Sequence, residues 1–219
     1  MQVRMAQARA ENRASLRPYT VTRVYRLFGK ERLASKAEVM ADVTFIPPDV
    51  RRYTIQQANG TILGEKIVRE MLEHEKEVVK NYSSTDISPA NYDFHFIGEE
   101  EFGGQLCYAL ELSPRRKDKN LLRGKIWVDT TTYLIHRVEG QPARVPSWWL
   151  REVRIALVYG YVGGMWLQTA SECTANVRLL GQHTIFSRDL DYKIGELATD
   201  AGGSMSSPAS TRPAVQVNR

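Results

Sequence analysis

Long apolar runs are missing from this chain: no stretch of its 219 residues approaches the ~20 consecutive apolar positions a bilayer-crossing helix needs. Cysteine is scarce too. Cys107 and Cys173 stand far apart without Cys-x-x-Cys spacing, which excludes a thiolate zinc site and a redox dithiol and leaves two buried thiols or one disulfide. The phosphate loop Gly-x-x-x-x-Gly-Lys-Ser/Thr, the dinucleotide fingerprint Gly-x-Gly-x-x-Gly, the Gly-x-Ser-x-Gly elbow and the His-Glu-x-x-His zinc helix are all absent. His74-Glu75 has no second histidine four residues on and reads as part of a polar helix face; His95, His136 and His183 fall in separate predicted strands. Glu99-Glu100-Glu101, beside Phe102-Gly103-Gly104, reads as a solvated hairpin end, too loose to hold carboxylates at the fixed separation acid/base catalysis needs. No metal, cofactor or catalytic group is expected, and the chain is not expected to be an enzyme.

Charge of both signs is present, with a modest basic excess of +5 and a pI near 9.2 that favours anionic partners. The excess is dispersed. Arg115, Arg116, Lys117 and Lys119, with Arg123 and Lys125, make the one dense cluster, which reads as a solvated loop; Arg4, Arg9, Arg13 and Arg17 recur around a helix predicted over residues 1–16 and stopped by Pro18. No nucleic-acid partner is expected, and contact with a membrane is at most peripheral.

Strand patterns dominate. In 19–28 (YTVTRVYRLF) Tyr19, Val21 and Arg23 alternate against Thr20, Thr22, Val24 and Arg26, and in 33–46 Ala37, Val39, Ala41, Val43 and Phe45 share a face. A third strand over 51–58 closes at Asn59-Gly60. The period then becomes helical: Leu63, Ile67, Val68, Met71, Leu72, Val78 and Val79 recur over 61–82, with alternating charges between them, predicting an amphipathic helix lying on a sheet rather than on a membrane. Further strands are predicted over 92–98, 105–112, 125–129, 133–139, 152–161, 165–174, 175–181 and 183–192. Within them Asp129-Thr130-Thr131-Thr132 writes a tight reversal, since Asp and Thr side chains bond nearby amides. From residue 196 the chain turns to Ala, Gly, Ser, Thr and Pro, the composition of a disordered tail, so one domain over 1–195 is expected.

Aromatic residues are plentiful for a sheet protein. Trp127 points opposite to Ile126 and Val128, so its strand carries bulky apolar groups on both faces, as in a curved sheet that encloses something. Trp127, Trp148, Trp149, Trp166, Tyr108 and Phe186 are the candidate lining of a hydrophobic cavity, with core filling as the alternative role for each.

The element order, with Leu110–Pro114, then Gly124-Lys125-Ile126-Trp127-Val128-Asp129, Thr132-Tyr133-Leu134 and Arg137-Val138-Glu139, and later YGYVGGMWL over 159–167, resembles the LolA-like superfamily of lipoprotein carriers. The resemblance implies an α+β fold: a strongly curved antiparallel sheet of about ten strands, an incomplete barrel with helices packed on its concave side. It also implies a periplasmic, non-catalytic protein that holds a lipid or lipoprotein acyl chain in a hydrophobic cavity, its signal sequence not included in the chain. The alternative it leaves is an envelope regulatory or scaffold domain that binds a protein partner through the curved sheet.

Overall fold

The computed structural model describes residues 1–145, 150–179 and 181–195. The elements run α1 (Gln2–Ser15), β1 (Tyr19–Phe28), β2 (Ser35–Ile46), β3 (Val50–Gly60), α2 (Ile62–Lys80), the short α3 (Tyr82–Thr85), β4 (Tyr92–Phe102), β5 (Gln105–Pro114), β6 (Leu122–Asp129), β7 (Ile135–Pro142), β8 (Leu150–Val162), β9 (Met165–Val177) and β10 (Gly181–Ile194). All ten strands form one antiparallel sheet in the order β3-β2-β1-β10-β9-β8-β7-β6-β5-β4. Pairing of β1 with β10 joins the first and last of these strands, and the sheet stays open between its edges β3 and β4.

The alternation in β2 translates into burial: Ala37, Val39, Ala41, Val43 and Phe45 are buried while their neighbours are half-buried. On this face lies α2. Thr61 caps it, its hydroxyl accepting the Gly64 amide at 3.2 Å, and Gly64, Val68 and Leu72, spaced four apart, form its buried stripe. Gly64 sits where a Cβ would come within 2.2 Å of the Ala37 methyl, so helix and sheet approach as closely as they do because no side chain intervenes.

Two apolar clusters result. One gathers β1, β2 and β10 beneath α2 around Tyr25, Leu27, Val39, Val68 and Leu72. The other gathers Leu110 and Leu112 of β5, Ile126 and Val128 of β6 and Val138 of β7, with Met5 of α1 above them. α1 is fixed to β9 by a reciprocal pair of bonds: Asn12 Nδ2 donates to the Trp166 carbonyl at 2.9 Å, and the Trp166 amide donates to Asn12 Oδ1 at 2.7 Å.

Three expectations need correction. Residues 165–181, read as two strands, run as β9 to Val177 without a break, because no turn residue interrupts them and Cys173 and Ala175 pair on both sides, with Ile155 and Val153 and with Ile185 and His183. Glu99–Glu101 are not a loose hairpin end but the last turnward residues of β4, where Glu100 takes the Lys125 ammonium and, at 2.8 Å, the Trp127 indole N–H. Tyr133, expected to open a strand, completes the preceding reversal at φ 59°. Both cysteines are free thiols, with Cys107 buried in β5 and Cys173 half-buried in β9. The Ala/Ser/Gly/Pro segment after residue 195 lies outside the described residues.

Candidate functional site

The two apolar clusters do not meet, and the space between them is a hollow of about 410 Å³ between the sheet and the helices. Leu16, Phe45 and Val79 line it from the side of the first cluster, and Leu122, Ile135, Leu157 and Tyr159 from that of the second. α1 contributes Met5, Arg9 and Arg13, and the chain after α2 contributes Tyr82 and Ile87. The volume falls in the range of pockets that enclose small ligands, roughly 300–1,000 Å³, and the lining is mostly aliphatic and aromatic. Burial pushes the Tyr159 hydroxyl up to about 12, with Tyr82 and Tyr92 adding to the effect, as expected for a wall with little water.

Charge enters the hollow at defined places. Arg23 of β1, 4% exposed, donates to both Asp189 oxygens of β10 and reaches Glu75 of α2 at 3.0 Å; Arg51 of β3 meets the same Glu75 at 2.7 Å. Tyr192 donates to Asp189. Burial opposes the Arg23 charge, but the Glu75 and Asp189 carboxylates more than offset it and hold the guanidinium firmly protonated. At the α1 side Arg4 donates to the Tyr133 hydroxyl at 2.8 Å, Arg9 pairs with Asp86 at 3.5 Å, and the Arg13 guanidinium lies over the Tyr82 ring at 4.1 Å.

Of the six residues expected to line a cavity, the structure places Trp166 on the hollow, its indole N–H donating to the Ile135 carbonyl at 2.7 Å and its ring meeting His136 edge to face. Tyr108 is one step removed, tilted against Tyr133, which does line it, at 6.1 Å between ring centroids. Trp127 and Phe186 lie on the other face of the sheet. In β6 the inward positions go to Ile126 and Val128, so Trp127 turns outward and is covered there by Phe102, by Lys125 at 4.5 Å from the ring and by its bond to Glu100. Phe186 is coupled through the register to Glu172 and Ala156 on that outer face and packs against Phe28 beneath Arg32. Trp148 and Trp149 lie outside the described residues. Sequence reasoning did not single out Leu16, Tyr82, Ile87 or Tyr159 as lining residues. The available signal was weak, since each is an ordinary aliphatic or aromatic residue at a helix end, in a connection or in a strand.

A larger depression of about 1380 Å³ lies where β7 and β8 part beyond the Gly140–Ile155 pair. Its walls carry Arg32, Arg123, Lys125, Arg137 and Arg154 with Glu139, Glu152 and Glu172, so it offers no apolar enclosure, and the smaller hollow is the better ligand site. Among the described residues no group of His, Cys, Asp and Glu is arranged to hold a metal ion.

Residues 50–178 match the model of a family described as uncharacterized proteins. No curated protein matches the sequence. Among solved structures the chain is similar to a domain from Vibrio parahaemolyticus described as an outer membrane lipoprotein-sorting protein domain, at 14% identity and a TM-score of 0.53 over 91% of this chain and 94% of that one. A DUF1329 family protein from Desulfovibrio piger aligns at 16% identity and a TM-score of 0.46 over 91% and 95% of the two chains. A LolA superfamily protein from Nitrosomonas europaea aligns at 13% and 0.42 over 90% and 94%. At 14% identity the likeness to the Vibrio parahaemolyticus domain is one of fold.

Proposed function

The chain belongs to the family whose model spans residues 50–178 and has the LolA-like fold, and from the site built on that fold we propose that it binds the acyl chain of a lipid or lipoprotein, without catalysis, in the periplasm. The observation that carries the reading is the hollow between the two clusters, with its mostly aliphatic and aromatic lining. Such a space suits a flexible hydrocarbon. Each buried methylene contributes about 0.8 kcal/mol, so a dozen supply roughly 10 kcal/mol before the cost of association, and no reactive group is needed for useful affinity. The description of the Vibrio parahaemolyticus domain as an outer membrane lipoprotein-sorting protein domain favours lipoprotein as cargo.

Trp166 is the natural reporter, because it touches both the hollow and the helix that covers it. In a variant carrying Trp127→Phe, Trp148→Phe and Trp149→Phe, titration with palmitate should change the remaining tryptophan emission. The melting temperature should rise with it, since a ligand that binds only the folded state adds about 2.7 kcal/mol at a hundred times its dissociation constant. A flat titration, together with no lipid extracted from the purified protein, would remove the acyl-binding reading.

A further inference from the structure

The connections between strands fall at two ends of the sheet, and the turns at those ends differ in charge. Antiparallel register puts the β1–β2 turn, the start of α2 and the β5–β6, β7–β8 and β9–β10 connections at one end. The turns after β2, β4, β6 and β8 lie at the other; their one charged residue is Asp49, and the cations that reach them, Arg13 at the Pro48 carbonyl and Arg17 at the Gly163 carbonyl, come from α1 and the link after it. The first end carries Lys30 and Arg32 in one turn, Arg115, Arg116, Lys117 and Lys119 in another, and Arg178 in a third, against Glu31 and Asp118. Lys30, Lys117, Lys119 and Arg178 make no ion pair among the described residues.

The same end bares the three most exposed large apolar side chains among the described residues, while Val3 of α1, 81% exposed, and Tyr161 of β8, 73%, are exposed elsewhere. Leu33 is 87% exposed, Ile62 89% and Leu179 fully exposed, and they come from three separate connections: a hairpin turn, the first residue of α2 and a second hairpin turn. The first two come from adjoining segments, since the Thr61 amide donates to the Lys36 carbonyl at the start of β2. A single exposed leucine is ordinary, but apolar tips on separate loops at one end, set among unpaired cations, match an anionic bilayer: the tips reach the acyl boundary while the cations sit at the headgroups. Nucleic acid offers no partner for the leucines, and an acidic peptide would need a groove, where these are tips.

We propose that this end of the sheet docks on an anionic lipid bilayer through Leu33, Ile62, Leu179 and the basic β5–β6 connection. The docking is independent of what the hollow holds. The test is co-sedimentation of the full chain with vesicles rich in phosphatidylglycerol and with vesicles of phosphatidylcholine alone. Wild type should pellet with the first and not the second. Lys117→Glu with Lys119→Glu should weaken binding at low salt by more than about tenfold. Leu33→Asp with Leu179→Asp should spare most of the low-salt binding and abolish the part that persists in high salt. All four positions lie in exposed turns, so both double variants should keep the wild-type melting temperature. Absence of phosphatidylglycerol-dependent pelleting, or double variants that pellet like wild type, would overturn the proposal. So would competition by an acidic peptide or an oligonucleotide that depends on the lysines and ignores the leucines.

Discussion

Asp129 governs the reversal between β6 and β7 almost alone. Its Oδ1 accepts the amides of Thr131 at 2.9 Å and Thr132 at 2.6 Å and the Thr132 hydroxyl at 2.9 Å, and it is only 5% exposed. Burial works against its ionised form, yet those donors prevail and hold its carboxyl below the usual carboxylate range. Because the folded value lies below the unfolded one near 3.9, the stability Asp129 adds is present above that value and is lost as pH falls through the folded one. Asp129→Ala should cost about 1–3 kcal/mol in urea unfolding near pH 7, and the gap between the two proteins should close in acid. A gap that stays constant with pH would mean that the charge has no part in the turn. This reversal was legible in the sequence because a short acceptor and its donors lie within three residues. The role of Glu100 was not: its partners Lys125 and Trp127 are 25 and 27 residues away, and only the β4–β5–β6 register brings them together.

Elements were legible where one periodicity ran uninterrupted. β1 emerges with the predicted bounds although it is buried on both faces, and α2 keeps Val68 and Leu72 of its stripe buried while Leu63 at its start is exposed. The break placed inside β9 had no glycine or proline behind it, and long strands paired on both sides need none. What α2 contributes can be measured. Leu72, 1% exposed in the first cluster, should cost about 2–5 kcal/mol when cut to Ala, and Gly64→Val should destabilise by lifting the helix from Ala37. The exposed control Glu70→Ala should leave the melting temperature within about a degree or two, as surface substitutions usually do. If Leu72→Ala melts with wild type, α2 is not docked on the sheet as described.

At the scale of the whole molecule, the position of the hollow depends on where two apolar clusters stop, which no single strand's pattern encodes. Alternation correctly turned Trp127 away from Ile126 and Val128; which face encloses the hollow follows from where the helices pack. One whole-molecule feature did leave a trace: Arg23 shares a face with Tyr19 and Val21, and a charge on a core face signals buried partners. Those partners, Asp189 and Glu75, with Arg51 on the same Glu75, tie β1, β10, α2 and β3 into one network around the hollow, with two cations balancing two carboxylates. Breaking such a network from one side is costlier than removing a pair, since it strands a buried charge. Arg23→Met should therefore destabilise by about 3–5 kcal/mol, because the Asp189 side chain, 2% exposed, loses its counter-ion. Arg23→Met combined with Asp189→Leu should recover much of that loss, so the double-mutant cycle should give a coupling well above the roughly 1 kcal/mol ceiling of an exposed pair. Additive losses in urea unfolding would show that the two side chains act separately, and the wall of the hollow would then owe its shape to packing alone.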